Sequence, residues 1–163
     1  MTEVPIETFL NVQSYQASLA NFWSAFNSLE MILRIYLARR DGIGTADLMS
    51  QINAEEDKQV AESAVTDWST FRNLCERYNN TVQSNSKFAF DEINRLRDAL
   101  AHGRVTSDEH GNMIVIKYSK PQDGFVRVEY RRSLTSQFLT ENAAYMLQAM
   151  QKVTACIDPF MKP

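Results

Sequence analysis

One change of rhythm constrains this sequence more than any other feature. The apolar residues Leu19, Phe22, Trp23, Phe26, Leu29, Ile32, Leu33, Tyr36 and Leu37 recur every three or four positions, the spacing of one buried helix face. They predict a long helix that begins before Tyr15 and stops at Asp41-Gly42. A second series, Ala64, Trp68, Phe71, Cys75, Tyr78 and Val82, predicts a helix ending near Asn79-Asn80. A third, Phe90, Ile93, Leu96 and Leu100, stops at Gly103, read as the residue just past a helix end. Between the first two, Thr45 is placed to cap a short helix through Ile52. The last helix starts at about Leu134 and carries Leu139, Ala143, Met146, Met150, Val153 and Ile157 to Asp158-Pro159.

Only between about 112 and 131 does the period fall to two. Ile114, Ile116 and Tyr118 alternate with Val115 and Lys117, and Val126, Val128 and Tyr130 alternate with Arg127 and Glu129. With the turn-forming stretch Lys120-Pro121-Gln122-Asp123-Gly124 between them, these segments predict a β-hairpin. Its Ile114, Ile116, Val126 and Val128 are expected to cover helices, because an isolated hairpin is marginal. The expected class is all-α: an up-and-down bundle of four to five helices with a hairpin inserted before the last. Residues 1–163 read as a single domain, with no repeat and no linker.

Composition removes several classes of function. No apolar run approaches the roughly 18 residues of a membrane helix, and Met1 to Leu10 has neither the basic start nor the apolar stretch of a secretory signal. Two cysteines, Cys75 and Cys156, in unrelated apolar settings fit buried thiols in a reducing cytosol. The expected location is therefore cytoplasmic, with no membrane partner. There is no Gly-rich phosphate loop, no Cys-x-x-Cys pair and no nucleophile elbow. With two histidines in all, a histidine-rich metal site is not available, and Asp108, Glu109 and His110 beside Gly111 read as a solvated turn. Neither cofactor nor metal is expected.

A net charge of −3 argues against a non-specific nucleic-acid coat. The charge is unevenly spread: residues 1–84 hold 6 basic and 11 acidic side chains, residues 85–132 hold 9 and 7, and residues 133–163 hold 2 of each. An anionic ligand should prefer the middle of the chain.

Two charges stand where the pattern wants apolar residues. Glu30 lies in the stripe between Phe26 and Leu33, and Arg97 in the stripe between Ile93 and Leu100. Since charges are seldom buried alone, Glu30 is expected to be mostly buried and bonded to Arg97 or a group beside it; the alternative is a structural salt bridge of Glu30 with Arg34 one turn on or with Arg97. His102 stands five residues after Arg97, about 140° round an ideal helix. The two converge only if the helix ends there or a second chain supplies one of them. Asp98, four residues before His102, is within reach to orient the imidazole.

The segment Asn94-Arg-Leu-Arg-Asp-Ala-Leu-Ala-His-Gly-Arg104 resembles the motif of the HEPN superfamily. In that motif an Arg, usually followed by a polar residue, precedes a His by four to six intervening positions. Arg97, Asp98 and His102 match it with a four-residue spacer, and Phe26 to Arg34 is similar to the family's first helix, whose acidic residue, here Glu30, faces the motif. The resemblance implies a helical bundle acting as a metal-independent ribonuclease, often a toxin or antiviral effector, in a homodimer whose motifs meet across the interface. It implies catalytic roles for Arg97, His102 and Asp98, with Glu30 in support, an RNA substrate, and a possible cognate antitoxin or other partner protein. Some members of the superfamily do not cleave RNA, so a non-catalytic helical dimerisation or interaction module is the alternative. A nucleotide-binding bundle is a third reading, and it requires an apolar pocket near Trp23 or Trp68.

Overall fold

The computed structural model describes residues 6–109 and 111–157, with the side chains of residues 6–12 left aside. His110 and the Asp158-Pro159 stop lie outside the described residues. The chain is mostly helical. Helix α1 runs Ile6–Arg40, α2 Thr45–Ile52, α3 Phe71–Asn79 and α4 Asp91–His102. Strands β1 (Arg104–Ser107), β2 (Met113–Tyr118) and β3 (Val128–Ser133) follow, and α5 (Ser136–Ile157) ends the described chain. No helix among the described residues is long and apolar enough to cross a membrane.

The chain divides into two compact units, each built from segments distant in sequence. Among the described residues one comprises 6–24, 91–109 and 111–144, the other 25–90 and 145–157.

In the second unit the core is aromatic. Phe26 and Phe71 meet at 4.6 Å between ring centroids, and Tyr78 stacks edge-on against Tyr36 at 5.0 Å. Thr70 caps α3 by accepting the Asn73 N–H at 3.3 Å, a favoured N-cap arrangement. The residues before it depart from the helical pattern. Ala64 to Thr70 is not helical, and Trp68 is 99% exposed. The reason is long-range: Arg34, on α1, donates to the carbonyls of Ala64, Asp67 and Ser69 at 3.1, 3.1 and 2.9 Å. Those acceptors serve a guanidinium in place of a helix ladder. At α2 the N-cap position is Gly44, so Thr45 is the first helical residue and not the cap.

In the first unit α4 packs on a three-stranded antiparallel sheet of order β1-β2-β3 and touches all three strands. The expected hairpin is thus one half of a sheet. Strand β1 pairs along β2 from Arg104↔Ile116 to Ser107↔Met113, and all four of its residues are exposed. The side that faces α4 is also different from expectation. Val115, Lys117, Tyr130 and Arg132 share the register that meets α4, and Val126 and Val128 stand outward, 53% and 51% exposed. Central strand β2 is covered at its start, where Ile114 and Val115 are both buried, and emerges at Tyr118.

Candidate functional site

Helix α4 is fastened to the sheet at two points. At its first turn Glu92 accepts from the Tyr130 hydroxyl at 2.8 Å and from Arg132 at 3.1 Å. Burial first, and then the hydrogen bond to Glu92, push the Tyr130 hydroxyl up to about 12. The guanidinium of Arg95 lies over the same ring, 5.2 Å from its centroid. At the second point Lys117 on β2 donates to Asp98 Oδ2 at 2.5 Å and faces Glu129 Oε2 at 3.2 Å. The Asp98 hydrogen bond, with Glu129 adding to it, raises the Lys117 ammonium above its ordinary value.

A register shift lets this triad form. Lys117 pairs with Tyr130 but Tyr118 pairs with Val128, which leaves Glu129 as the extra residue of a β-bulge. In unbroken alternation Glu129 would point away from Lys117; the bulge re-aims it.

His102 ends α4 with its side chain 64% exposed. Its Nε2 lies 3.8 Å from Asp98 Oδ1, beyond hydrogen-bond length, so the nearer partner of Asp98 is Lys117. Gly103 follows because nothing larger fits: a Cβ there would meet the backbone oxygens of Ala99 and Ile116, the second at 2.7 Å. The glycine is required for close approach of the helix end to β2, not for a left-handed turn. It holds His102 where strand and helix meet.

Arg97 is half-buried on α4, and its Nε is shielded from solvent. Glu30 belongs to the other compact unit and pairs with Arg34, from Nη2 to Oε1 at 2.8 Å. Asp67 joins on the other side of Arg34 at 3.0 Å. The expected burial is thus only partial, with the Glu30 side chain 26% exposed, and the partner is the local Arg34.

Beyond Lys117 the chains of β2 and β3 continue as an arm. Ser119 N–H donates to the Arg127 carbonyl at 2.8 Å, and Gln122 bridges Phe125 across a tip with positive φ at Asp123 (52°) and Gly124 (82°). Two positive φ values in a two-residue tip are the signature of a type I′ hairpin turn, which Asp-Gly favours. Along the arm lies an open groove of about 780 Å³, whose lining includes Lys117, Tyr118, Lys120, Phe125, Arg127 and Glu129. Sequence reading located Arg97, Asp98 and His102 through local spacing and missed Lys117, Glu129 and the groove. Local spacing carries no signal for them, since the alternation that turns Ile114 and Ile116 to the helices turns Lys117 away.

No protein-family model, no curated protein and no solved structure matches this chain.

Proposed function

We propose that this chain is a metal-independent endoribonuclease of the HEPN type, a toxin or defence effector acting as a homodimer. The observation that carries the reading is the exposed His102 imidazole at the end of α4, beside the Asp98–Lys117 pair, whose lysine also lines an open groove. Neutral His102 takes the proton of a ribose 2′-hydroxyl, whose oxygen attacks the adjacent phosphorus. The bond from phosphorus to the 5′-oxygen breaks, and that oxygen is protonated by the imidazolium of the second copy. The products are a 2′,3′-cyclic phosphate and a 5′-hydroxyl. Arg97 grips two phosphate oxygens through its planar fork as negative charge develops. Asp98, held by Lys117, keeps a carboxylate beside the ring.

Helix geometry supports a second copy. Helix α4 is unbroken from Asp91 to His102, so Arg97 and His102 stay about 140° apart, and an isologous interface is the route that brings an Arg and a His together. The overall negative charge fits a narrow RNA substrate range or a cognate antitoxin or partner protein that controls access. The two free thiols, Cys75 and Cys156, fit a cytoplasmic setting.

The test is cleavage of RNA by wild type beside His102→Ala, with excess chelator present. Cleavage by wild type, lost in the variant, supports the reading. Cleavage that needs metal, or that survives in His102→Ala, overturns it. Absence of cleavage favours a non-catalytic interaction module, the reading to which the engagement of Asp98 by Lys117 also lends itself. Trp68, one of the two anchor points of the nucleotide-binding reading, is 99% exposed.

A further inference from the structure

We infer that the β2–β3 arm is a binding surface for single-stranded RNA, with Phe125 as a stacking platform for a base and Lys120 and Arg127 as phosphate contacts. The ligand class rests on the ribonuclease reading; the placement rests on four observations. First, residues 113–133 carry five cationic and two acidic side chains, a net +3 in a chain of net −3. Second, three of these five cations are unspent. Glu129 is taken by Lys117 and Glu92 by Arg132, and among the described residues Lys120, Arg127 and Arg131 meet no carboxylate. Third, the arm exposes rings: Phe125 is 79% exposed, and Tyr118, 39% exposed, carries the Arg104 guanidinium 5.8 Å from its centroid. A cationic groove interleaved with exposed aromatic faces is the physical requirement for holding a single strand, since every base offers a π-face and every linkage a charge.

The fourth observation is continuity. Lys117 lines the groove and also holds Asp98, whose other oxygen is 3.8 Å from His102. A strand lying along the arm therefore reaches the proposed reacting groups without leaving the unit. On the opposite face of the sheet, away from α4, Arg104, Ile116 and Arg131 form one register row. A duplex could use the charge but not the rings, because its bases are already stacked. The arm thus selects unpaired RNA.

The probe is a labelled twelve-nucleotide 2′-O-methyl oligouridine, which lacks the attacking hydroxyl and so reports binding apart from cleavage. Its anisotropy is titrated with the full chain across a salt series. Phe125→Ala should weaken binding by roughly 5- to 100-fold, and Phe125→Tyr should restore most of it. Lys120→Gln with Arg127→Gln should lower the slope of log affinity against log salt by about 1.4, near 0.7 per lost phosphate contact. No binding by wild type, equal binding by all variants, or equal competition by a duplex of the same length would overturn the inference. A change in sedimentation of Phe125→Ala without a change in RNA binding would also overturn it, by making the arm a self-association surface. Cleavage of unmodified oligouridine is followed in parallel. Arm-dependent binding without cleavage removes the ribonuclease and keeps the binding surface. Cleavage indifferent to the arm variants keeps the enzyme and removes this surface.

Discussion

The two charged clusters of this molecule, Glu30–Arg34–Asp67 and Asp98–Lys117–Glu129, begin from the same anomaly, charges on or against a helix stripe, and end differently. Around Arg34 the hydrogen bonds are saturated: two carboxylates and three backbone carbonyls converge on one guanidinium whose side chain is 12% exposed. Such a cluster fixes the course of Ala64 to Thr70 and has nothing left to offer a ligand. Around Lys117 the pairing stops short. Asp98 turns one oxygen to the lysine and the other toward an exposed imidazole, and the lysine opens on a groove. Charge density alone does not distinguish structure from site; the number of valences left facing solvent does.

That contrast can be broken by substitution. In the open cluster, His102→Ala should lower RNA cleavage by about 10²- to 10⁴-fold without shifting the thermal midpoint, because an exposed side chain at a helix end carries little packing. A matching fall in stability would place His102 with the structural cluster instead. In the closed cluster, Arg34→Ala should cost about 3–5 kcal/mol, since it strands two carboxylates and three carbonyls; urea unfolding measures this. Gly103→Ala should cost about 1–3 kcal/mol through overpacking against Ile116 and should impair cleavage as well, by displacing His102. Glu30→Ala is the mildest, about 1 kcal/mol, because Arg34 keeps Asp67 and its carbonyls. A loss as large as that of Arg34→Ala would mean that the saturation is not shared in this way.

The clusters should also fail at opposite ends of the pH scale. Burial alone would raise Asp67, but the Ser69 amide and hydroxyl and Arg34 outweigh it and hold the carboxyl below its ordinary value of 3.8. A lowered carboxylate stabilises the fold above that value and loses its contribution as pH falls through the folded one. Asp67→Asn should therefore flatten the acid limb of the stability curve below about pH 4. Lys117 is raised from 10.5, so its contribution is complete below that value and is lost as pH rises beyond it. Lys117→Gln should flatten the alkaline limb. Stability curves of the two variants against wild type decide both signs.

What sequence reasoning could and could not see follows the range of the forces involved. Helices α1, α4 and α5 are long periodic stripes and were legible from local spacing, as was the Asp123-Gly124 turn. Strand β1 was not, because its four residues are all exposed and show no alternation. The apolar spacing of Ala64, Trp68 and Phe71 read as one helix, yet Arg34, thirty or more residues away, competes for the carbonyls and leaves Trp68 in water. Alternation puts Val126 and Val128 on the inner face, but the bulge at Glu129 reverses the parity of the strand beyond it. In the candidate site, Arg97, Asp98 and His102 lie within six consecutive residues and were visible as a motif. Lys117, nineteen positions from Asp98, belongs to the site through tertiary pairing alone.

The bulge at Glu129 also sets which changes of length the arm can absorb. Distal to it the two chains stay paired at Ser119–Arg127 and at Gln122–Phe125, so one residue gained or lost in a single strand between the bulge and those pairs would exchange the inner and outer faces of the arm. Residues added in matched pairs, one per strand and two at a time, would lengthen the arm without turning it over. The helix end, His102 and the Lys117 triad lie on the near side of that boundary. The reach of this arm is therefore free to vary in discrete steps while the chemistry at its base stays the same.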